Sequence, residues 1–335
     1  MIQKRITIAD VAAAADVSMM TVSRAMNGRD GINKETRERI LKIAAELEYR
    51  PSQIARGLVT RQTTTLGLVM PDVANPFFAQ IARGAEDVAY AHDYNLFLIN
   101  TAEDIDREKR ALDSLLEKDI DGAIICSSRL SQIEIMSFLE QLPAVVLVNR
   151  ELEVPNLKVA TLNVNDCSGA MIAIDYLIGQ GRKHIAMIAG PQTSISSQRR
   201  LDGYQTGMQT HDLPFSMKLV QNCFPTTQGG EEAAITLFER CPEVDGILAF
   251  NDLVAIGVLR ACLIKGKKVP KDVAIIGADD IPLAGLTNPS LTTLHVDLNA
   301  LGEQAMFALL HLIDAPTEAA KKIVIQPELL IRESA

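Results

Sequence analysis

The chain has 335 residues, is 47% hydrophobic and 22% charged, and carries a formal net charge of −9; at ~150 residues per domain it divides into two to three domains. That balance excludes a disordered chain, and no apolar run approaches the ~18 residues of a membrane span. Five scattered cysteines without a CxxC and the absence of tryptophan argue against disulfides, a zinc knuckle and an aromatic platform for single-stranded nucleic acid. The N-terminus, MIQKRITIAD, has basic residues but no apolar signal core behind them, so a cytoplasmic location is expected.

Charge is unevenly divided. Residues 1–61 hold 11 Lys+Arg and 7 Asp+Glu, a net of +4, and the remaining 274 hold 22 and 35, a net of −13. A basic head on an acidic body is expected when one end meets a polyanion. The head reads as short helices. Thr7 precedes IADVAAAADV with Asp10 three residues on, Ser18 precedes MMTVSRAMN, and Asn33 precedes KETRERILKIAAELEY, where Ile40, Ile43, Ala44 and Leu47 recur at helical spacing. Only Ala15, Asp16 and Val17 separate the first two helices. Two helices on a tight turn followed by a third form a helix-turn-helix pattern. Pro51 breaks the chain, SQIARGLV (52–59) is too short for a stable isolated helix, and TRQTTT is a polar linker.

From Leu66 the pattern changes. Candidate strands are 66–70, 95–99, 122–126, 144–148, 184–188, 246–250 and 273–278, with helical segments between them such as 77–92, 107–118, 166–180, 228–240 and 252–265. Near-continuous apolar strands alternating with helices predict parallel sheets covered on both faces. The set divides near residue 160, which gives an α/β body of two doubly wound parallel-sheet lobes. A ligand cleft is expected between them, near the carboxyl ends of the strands.

A recognition helix must offer short polar side chains from its N-terminal turn to the major groove. Met19, Met20, Thr21, Ser23, Arg24 and Asn27 occupy that helix. Thr21, Ser23 and Arg24 suit phosphates and the methionines suit base edges, while Val22 and Ala25 supply the inward face; the competing reading puts both methionines in the core. Enzyme motifs are absent: there is no GxGxxG, GxxxxGK[ST], GxSxG or HExxH, and the five histidines lack metal spacing. No catalytic residue, cofactor or metal is expected. Asp279 and Asp280 at a strand end point in different directions, so one reads as a ligand acceptor and the other as structural.

TIADVAAAADVSMMTVSRAMNG, ETRERILKIAAELEYRPS, ARGL and LGLVMPDVANPFF together resemble the LacI/GalR family of bacterial transcriptional repressors. The resemblance recurs at GYQTGM, FNDLVAIGVL, VPKDVAIIGADDIP and LTTLHVDLNALG, and so covers essentially the whole chain. It implies a body similar to periplasmic sugar-binding proteins. It implies phosphate contacts at Thr7, Ser18, Asn33 and Thr36, and a packing and backbone role for Tyr49. A hinge helix over 52–58 is implied, with Arg56 on DNA and Leu58 wedged into the minor groove. Asp16 departs from the glycine frequent in the family turn, but tolerates the left-handed conformation. In the cleft the resemblance implies effector contacts from Asn75, Phe77 and Phe78 in NPFF, with Asp72 just before. Ser196, Arg200, Phe224, Asn251 and Asp279 join them, as do Asn149 and Arg150 where many sugar binders have Asp-Arg. Aromatic faces and paired donors and acceptors suit a sugar. The competing readings are helix core for the phenylalanines and a structural salt bridge across the cleft for Arg200 and Asp279.

The expected organisation is a headpiece over 1–50, a hinge and linker over 51–64, one lobe from 65–162 with 294–323, and another from 163–293 with 324–335. The expected partners are a near-palindromic double-stranded operator, a carbohydrate effector acting as inducer and a second copy of the chain, with no membrane. The chain ends at IRESA without an added heptad tail, which favours a dimer. The alternative is a co-repressor type that responds to a purine or a phosphorylated carrier protein.

Overall fold

A computed structural model of the chain describes residues 6–28, 30–49, 62–152, 158–314 and 322–335. They fall into two units, Met1–Thr63 and Thr64–Ala335. The first contains helices α1 (Ile8–Ala14), α2 (Met19–Met26) and α3 (Lys34–Glu46), each begun by a capping residue. Ser18 Oγ accepts the Thr21 N–H at 3.1 Å and Asn33 Oδ1 accepts that of Thr36 at 2.7 Å, satisfying donors that a helix start leaves open. Thr7 donates its backbone N–H and its hydroxyl to Asp10 Oδ2, each at 2.7 Å. Asp16 adopts a left-handed φ of +50° in the turn between α1 and α2. Val11, Ala15, Val22, Ala25, Ile40 and Ala44 form the core, and Tyr49 packs on it half-buried. The expected hinge helix, with Arg56 and Leu58, lies outside the described residues.

The second unit is built on two six-stranded sheets. The first comprises β1 (Thr65–Met70), β2 (Asn95–Asn100), β3 (Gly122–Cys126), β4 (Val145–Val148), β5 (Val159–Val164) and, from the far end of the chain, β11 (Lys322–Ile325). Its order is β11-β5-β4-β3-β1-β2, parallel throughout. The second comprises β6 (Ile185–Ala189), β7 (Val220–Asn222), β8 (Gly246–Ala249), β9 (Ala274–Asp279), β10 (Thr292–His295) and β12 (Glu328–Leu330), ordered β12-β10-β9-β8-β6-β7. Only β12 runs antiparallel. The strands β3, β4, β6, β8 and β9 are buried along their whole length, as strands covered by helices on both faces must be.

Helices α4 (Pro76–Ala91) and α11 (Leu298–Asp314) cover one face of the first sheet, and α5 (Ile105–Glu117) and α6 (Gln132–Leu139) the other. α4 and α11 approach so closely that a Cβ on Gly84 would lie 2.1 Å from the Asn299 carbonyl oxygen. The second sheet is covered by α7 (Asp166–Gly179) and α8 (Ile195–Thr210) on one face and α9 (Thr227–Arg240) and α10 (Asp252–Ile264) on the other.

The chain crosses between sheets three times, and each crossing falls two residues later than expected, after Val164, His295 and Ile325 rather than after 162, 293 and 323. β5 runs on through Asn163, whose buried side chain accepts from Arg199 Nη1 at 3.1 Å. His295 stays in register with Asp279, and Ile325 with Val164. Ladder pairing holds these added residues in their sheets.

Candidate functional site

On the first unit, helix α2 presents a graded surface. Val22 and Ala25 are buried, whereas Met19 is 55% and Met20 66% exposed, so the core does not claim the methionines. Arg24 is exposed, while Thr21 and Ser23 are half-buried. The Thr21 hydroxyl lies 2.9 Å from that of Ser18. Asn27 turns back on its own helix, donating to the Ser23 carbonyl at 2.8 Å. Thr7, Ser18, Asn33 and Thr36 stand at helix starts, where N–H groups and helix dipole favour phosphate oxygens.

The second unit carries a narrow cleft whose walls stand close together. Strand order explains its place. Each sheet reverses direction of winding beside its first strand, between β1 and β3 in one and between β6 and β8 in the other. Loops leaving the carboxyl ends there diverge and open a crevice. Asn75, Phe77 and Phe78 follow β1, Asn149 follows β4, Ser196 and Arg200 follow β6, Asn251 follows β8, and Asp279 ends β9; all eight line the cleft.

Local structure fixes these side chains. Asn75 caps α4, its Oδ1 accepting the Phe77 N–H at 3.0 Å. Phe77 and Phe78 pack edge to face, ring centroids 4.9 Å apart, and both belong to the first sheet's core as well as to the cleft wall. Asn149 takes a left-handed φ of +56° and accepts from Val164 N–H at 3.1 Å. Asn251 caps α10 through Val254 N–H at 2.9 Å. Arg200 is held on three sides: Nε donates to Asp166 Oδ1 at 2.9 Å, Nη2 to Asp279 Oδ1 at 3.4 Å, and Nη1 to the Phe250 carbonyl. Both carboxylates belong to the second sheet and its helices, so this ion pair lies within one wall and does not bridge the cleft. Burial pushes the Asp279 carboxyl up to about 7, against the pull of Arg200. Asp280 points elsewhere and pairs with His295 and Arg332 at 2.8 and 2.7 Å.

Three expected residues are not in the cleft wall. Asp72 turns into its own loop and accepts from Ala74 N–H at 2.9 Å. Arg150 is buried next to Asn149, its Nη1 3.5 Å from the Ser128 carbonyl. Phe224 is 57% exposed, and its neighbour Pro225 takes the lining position. Conversely, Glu103, Ser127, Arg129 and Ser194 line the cleft although no motif singled them out, and Phe250, the first residue of FNDLVAIGVL, lines it without having been assigned a role. The signal that finds them is position: each comes within a few residues of the carboxyl end of a strand. The Ser196 hydroxyl, in a residue only 7% exposed, has no hydrogen-bond partner among the described residues. Among the described residues no group of three or more His, Cys, Asp or Glu is placed to hold a metal, and no helix is long and apolar enough to cross a membrane.

Residues 7–52 match the model of bacterial regulatory proteins of the lacI family, and residues 63–333 match that of periplasmic binding proteins and the sugar binding domain of the LacI family. The chain is 34% identical to the ribose operon repressor of Halalkalibacterium halodurans over 98% of this chain and 96% of that protein. It is 32% identical to the HTH-type transcriptional repressor PurR of Histophilus somni over 98% of each. Its fold matches that of the transcriptional regulator CelR in complex with cellobiose at a TM-score of 0.75, with 29% identity over 99% of this chain and 100% of that one. Two family models that together span nearly the whole chain, with full-length relatives above 30% identity, place this protein in the LacI family of bacterial regulatory proteins.

Proposed function

We propose that the protein represses transcription as a homodimer on a near-palindromic operator and that a sugar bound in the cleft acts as the inducer. The observation that carries the effector half is the wall chemistry. The rings of Phe77 and Phe78 stand beside hydrogen-bonding groups of Asn75, Asn149, Ser196, Asn251 and Asp279, contributed by both sheets. A sugar offers apolar ring faces and hydroxyls that both donate and accept, and this mixture answers it. The DNA half rests on family membership together with the exposed Met19, Met20 and Arg24 of a capped helix. Met19 and Met20 are assigned to base edges; Thr7, Ser18, Thr21, Asn33 and Thr36 are assigned to phosphates. A ligand that touches both sheets favours their closed arrangement by its differential affinity for it. Coupling of roughly 1–3 kcal/mol then weakens the operator, and the operator weakens the ligand equally.

The test is fluorescence anisotropy of the full chain on a selected operator fragment, with a sugar panel that includes ribose and cellobiose. Release on addition of one sugar is expected. The relative named PurR favours one competing reading, a purine co-repressor; tighter operator binding with hypoxanthine or guanine, and none of the sugars causing release, would establish it instead.

A further inference from the structure

Four charged side chains line the cleft: Glu103 and Arg129 on the first sheet's side, Arg200 and Asp279 on the second's. Both guanidinium groups arrive already matched. Arg129 grips Glu103 in a two-pronged pair, Nε to Oε2 at 2.7 Å and Nη2 to Oε1 at 3.0 Å, and its Nη1 donates to the Ser127 carbonyl at 2.9 Å. The two side chains are only 4% and 5% exposed. Across the cleft, Arg200 is shared between Asp166 and Asp279. The first pair sums to zero and the second group to zero or minus one, so these four lining side chains carry no net positive charge.

The Glu103–Arg129 pair is built at a cost. Ala102, Glu103 and Ser127 all take left-handed φ values, +53°, +58° and +47°, a conformation that costs roughly 1–2 kcal/mol for a residue other than glycine. Backbone bonds hold the turn: Glu103 N–H to the Pro71 carbonyl at 3.1 Å and Asp104 N–H to that of Thr101 at 3.1 Å. Beneath it the buried Glu108 accepts the Arg129 N–H at 2.9 Å, and burial holds the Glu108 carboxyl above its ordinary range. A buried ion pair contributes little to stability compared with apolar side chains of the same size. Strained backbone persisting around such a pair at a cleft wall points to function.

Resting on the reading of the cleft as a sugar site, we propose that Glu103 and Arg129 set its charge selectivity: the effector is an uncharged polyhydroxyl compound, and phosphorylated sugars are excluded. A phosphate ester brings close to two negative charges at pH 7. It would face Glu103 and Asp279 and find both arginines committed to carboxylates. An uncharged polyol loses nothing by this arrangement. Its hydroxyls can donate to the Glu103 and Asp279 oxygens and accept the guanidinium N–H groups that the pairs leave over, three of the five on Arg129 being used within the protein. The unpartnered Ser196 hydroxyl supplies one more site of the same kind.

The experiment is a thermal-shift titration of the full chain with ribose, glucose, fructose and cellobiose, and with ribose 5-phosphate, glucose 6-phosphate and fructose 6-phosphate. The proteins are wild type, Glu103→Gln and the doubly neutral Glu103→Gln/Arg129→Gln. For wild type, an uncharged sugar raises Tm and no phosphate does so at the same concentration. Glu103→Gln bares the Arg129 charge, and the apparent Kd for a sugar phosphate then tightens by at least about tenfold, while the double variant loses that gain. The double variant also covers the case in which Glu103→Gln does not fold: with both charges gone its preference for the uncharged sugar over the phosphate should narrow, and a preference as strong as that of wild type overturns the assignment. Wild type stabilised equally by a sugar and its phosphate, or Glu103→Gln folded yet still blind to phosphates, overturns the charge assignment and leaves the sugar reading standing. If no sugar in either form binds wild type, the sugar reading itself falls, and the inference with it.

Discussion

Replacing Arg200 by methionine removes the charge while keeping an unbranched side chain of similar reach. In the native protein the guanidinium is 8% exposed and answers Asp166, whose side chain is fully buried, and Asp279 at 8%. Asp166 Oδ2 has no partner among the described residues even in the native protein, so the variant strands a carboxylate with none of them to replace the arginine. Breaking a buried pair by removing one partner costs about 3–5 kcal/mol. At roughly 2–4 °C per kcal/mol for a body of this size, Tm should fall by roughly 6–20 °C. The deficit should also depend on pH. Without the pull of Arg200 the Asp279 carboxyl, already raised by burial, becomes easier still to protonate, and protonation relieves the burial penalty. The loss is therefore smaller at pH 5 than at pH 8. Differential scanning fluorimetry at both values measures it, and a deficit below about 1 kcal/mol, or one that does not change with pH, would refute the argument. Adding Asp166→Asn to Arg200→Met removes the stranded charge and should recover much of the stability. If the recovered protein then responds to the inducer as wild type does, Arg200 is structural; if it stays folded and blind, Arg200 binds the effector.

On the helix-turn-helix, Met20→Ala should leave stability within ~0.5 kcal/mol, because the side chain is 66% exposed. It should change which operator a selection enriches, and an unchanged consensus counts against base contact. Arg24→Ala should weaken all DNA sequences alike and reduce the salt slope by about one, measured as log Kd against log salt; a sequence-dependent loss contradicts a phosphate role. For Asp279→Asn the readout is stability against pH. The native carboxyl sits near 7 against about 3.9 unfolded, so the folded state keeps a proton that the unfolded state has lost. That contribution is complete below pH ~4 and disappears as pH rises through ~7. The wild type should therefore lose up to ~4 kcal/mol relative to Asp279→Asn across this window, and parallel pH profiles would show that Asp279 is not held protonated.

The strands that are legible in the sequence are those buried on both faces. GAIIC and GILA stand out because nothing polar interrupts them, and the expected 122–126 coincides with β3. β5 escaped because VATLNV mixes Thr161 and Asn163 into a fully buried strand, and their polarity is answered only by tertiary partners such as Arg199. The helix Ile195–Thr210, polar along most of its length, shows no apolar stripe, because Gly203 and Gly207 pack by close approach rather than by bulk. In the cleft, motif resemblance located Asn75, Arg200, Asn251 and Asp279 but could not say which of two adjacent residues faces inward. Asn149 faces the cleft and Arg150 does not. Glu103 and Arg129 were beyond motif reading, since their pairing depends on two loops brought side by side by the β2-β1-β3 order. The expectations at Arg56 and Leu58 concern residues outside those described.

Ser196 ties stability and ligand response together with opposite signs. Its hydroxyl is buried, lines the cleft and has no partner among the described residues. An unsatisfied buried polar group carries a penalty of about 1–3 kcal/mol, which is the size of a typical coupling between sites. A sugar hydroxyl that bonds to Ser196 Oγ recovers that penalty only where the other wall, with Asn75 and Phe77, also reaches the ligand, so the recovery counts toward the closed arrangement alone. Ser196→Ala removes the penalty in advance. Alanine also suits the first turn of α8 at least as well as serine, so the unliganded variant should melt at the same temperature as wild type or higher. The sugar, having lost one bond, should bind more weakly, and operator release should need more of it. Calorimetric Tm and inducer titration on the same preparation give both signs. A lower Tm with unchanged inducer affinity would mean that the hydroxyl serves the fold, and that some other group on the wall carries the link between sugar and closure.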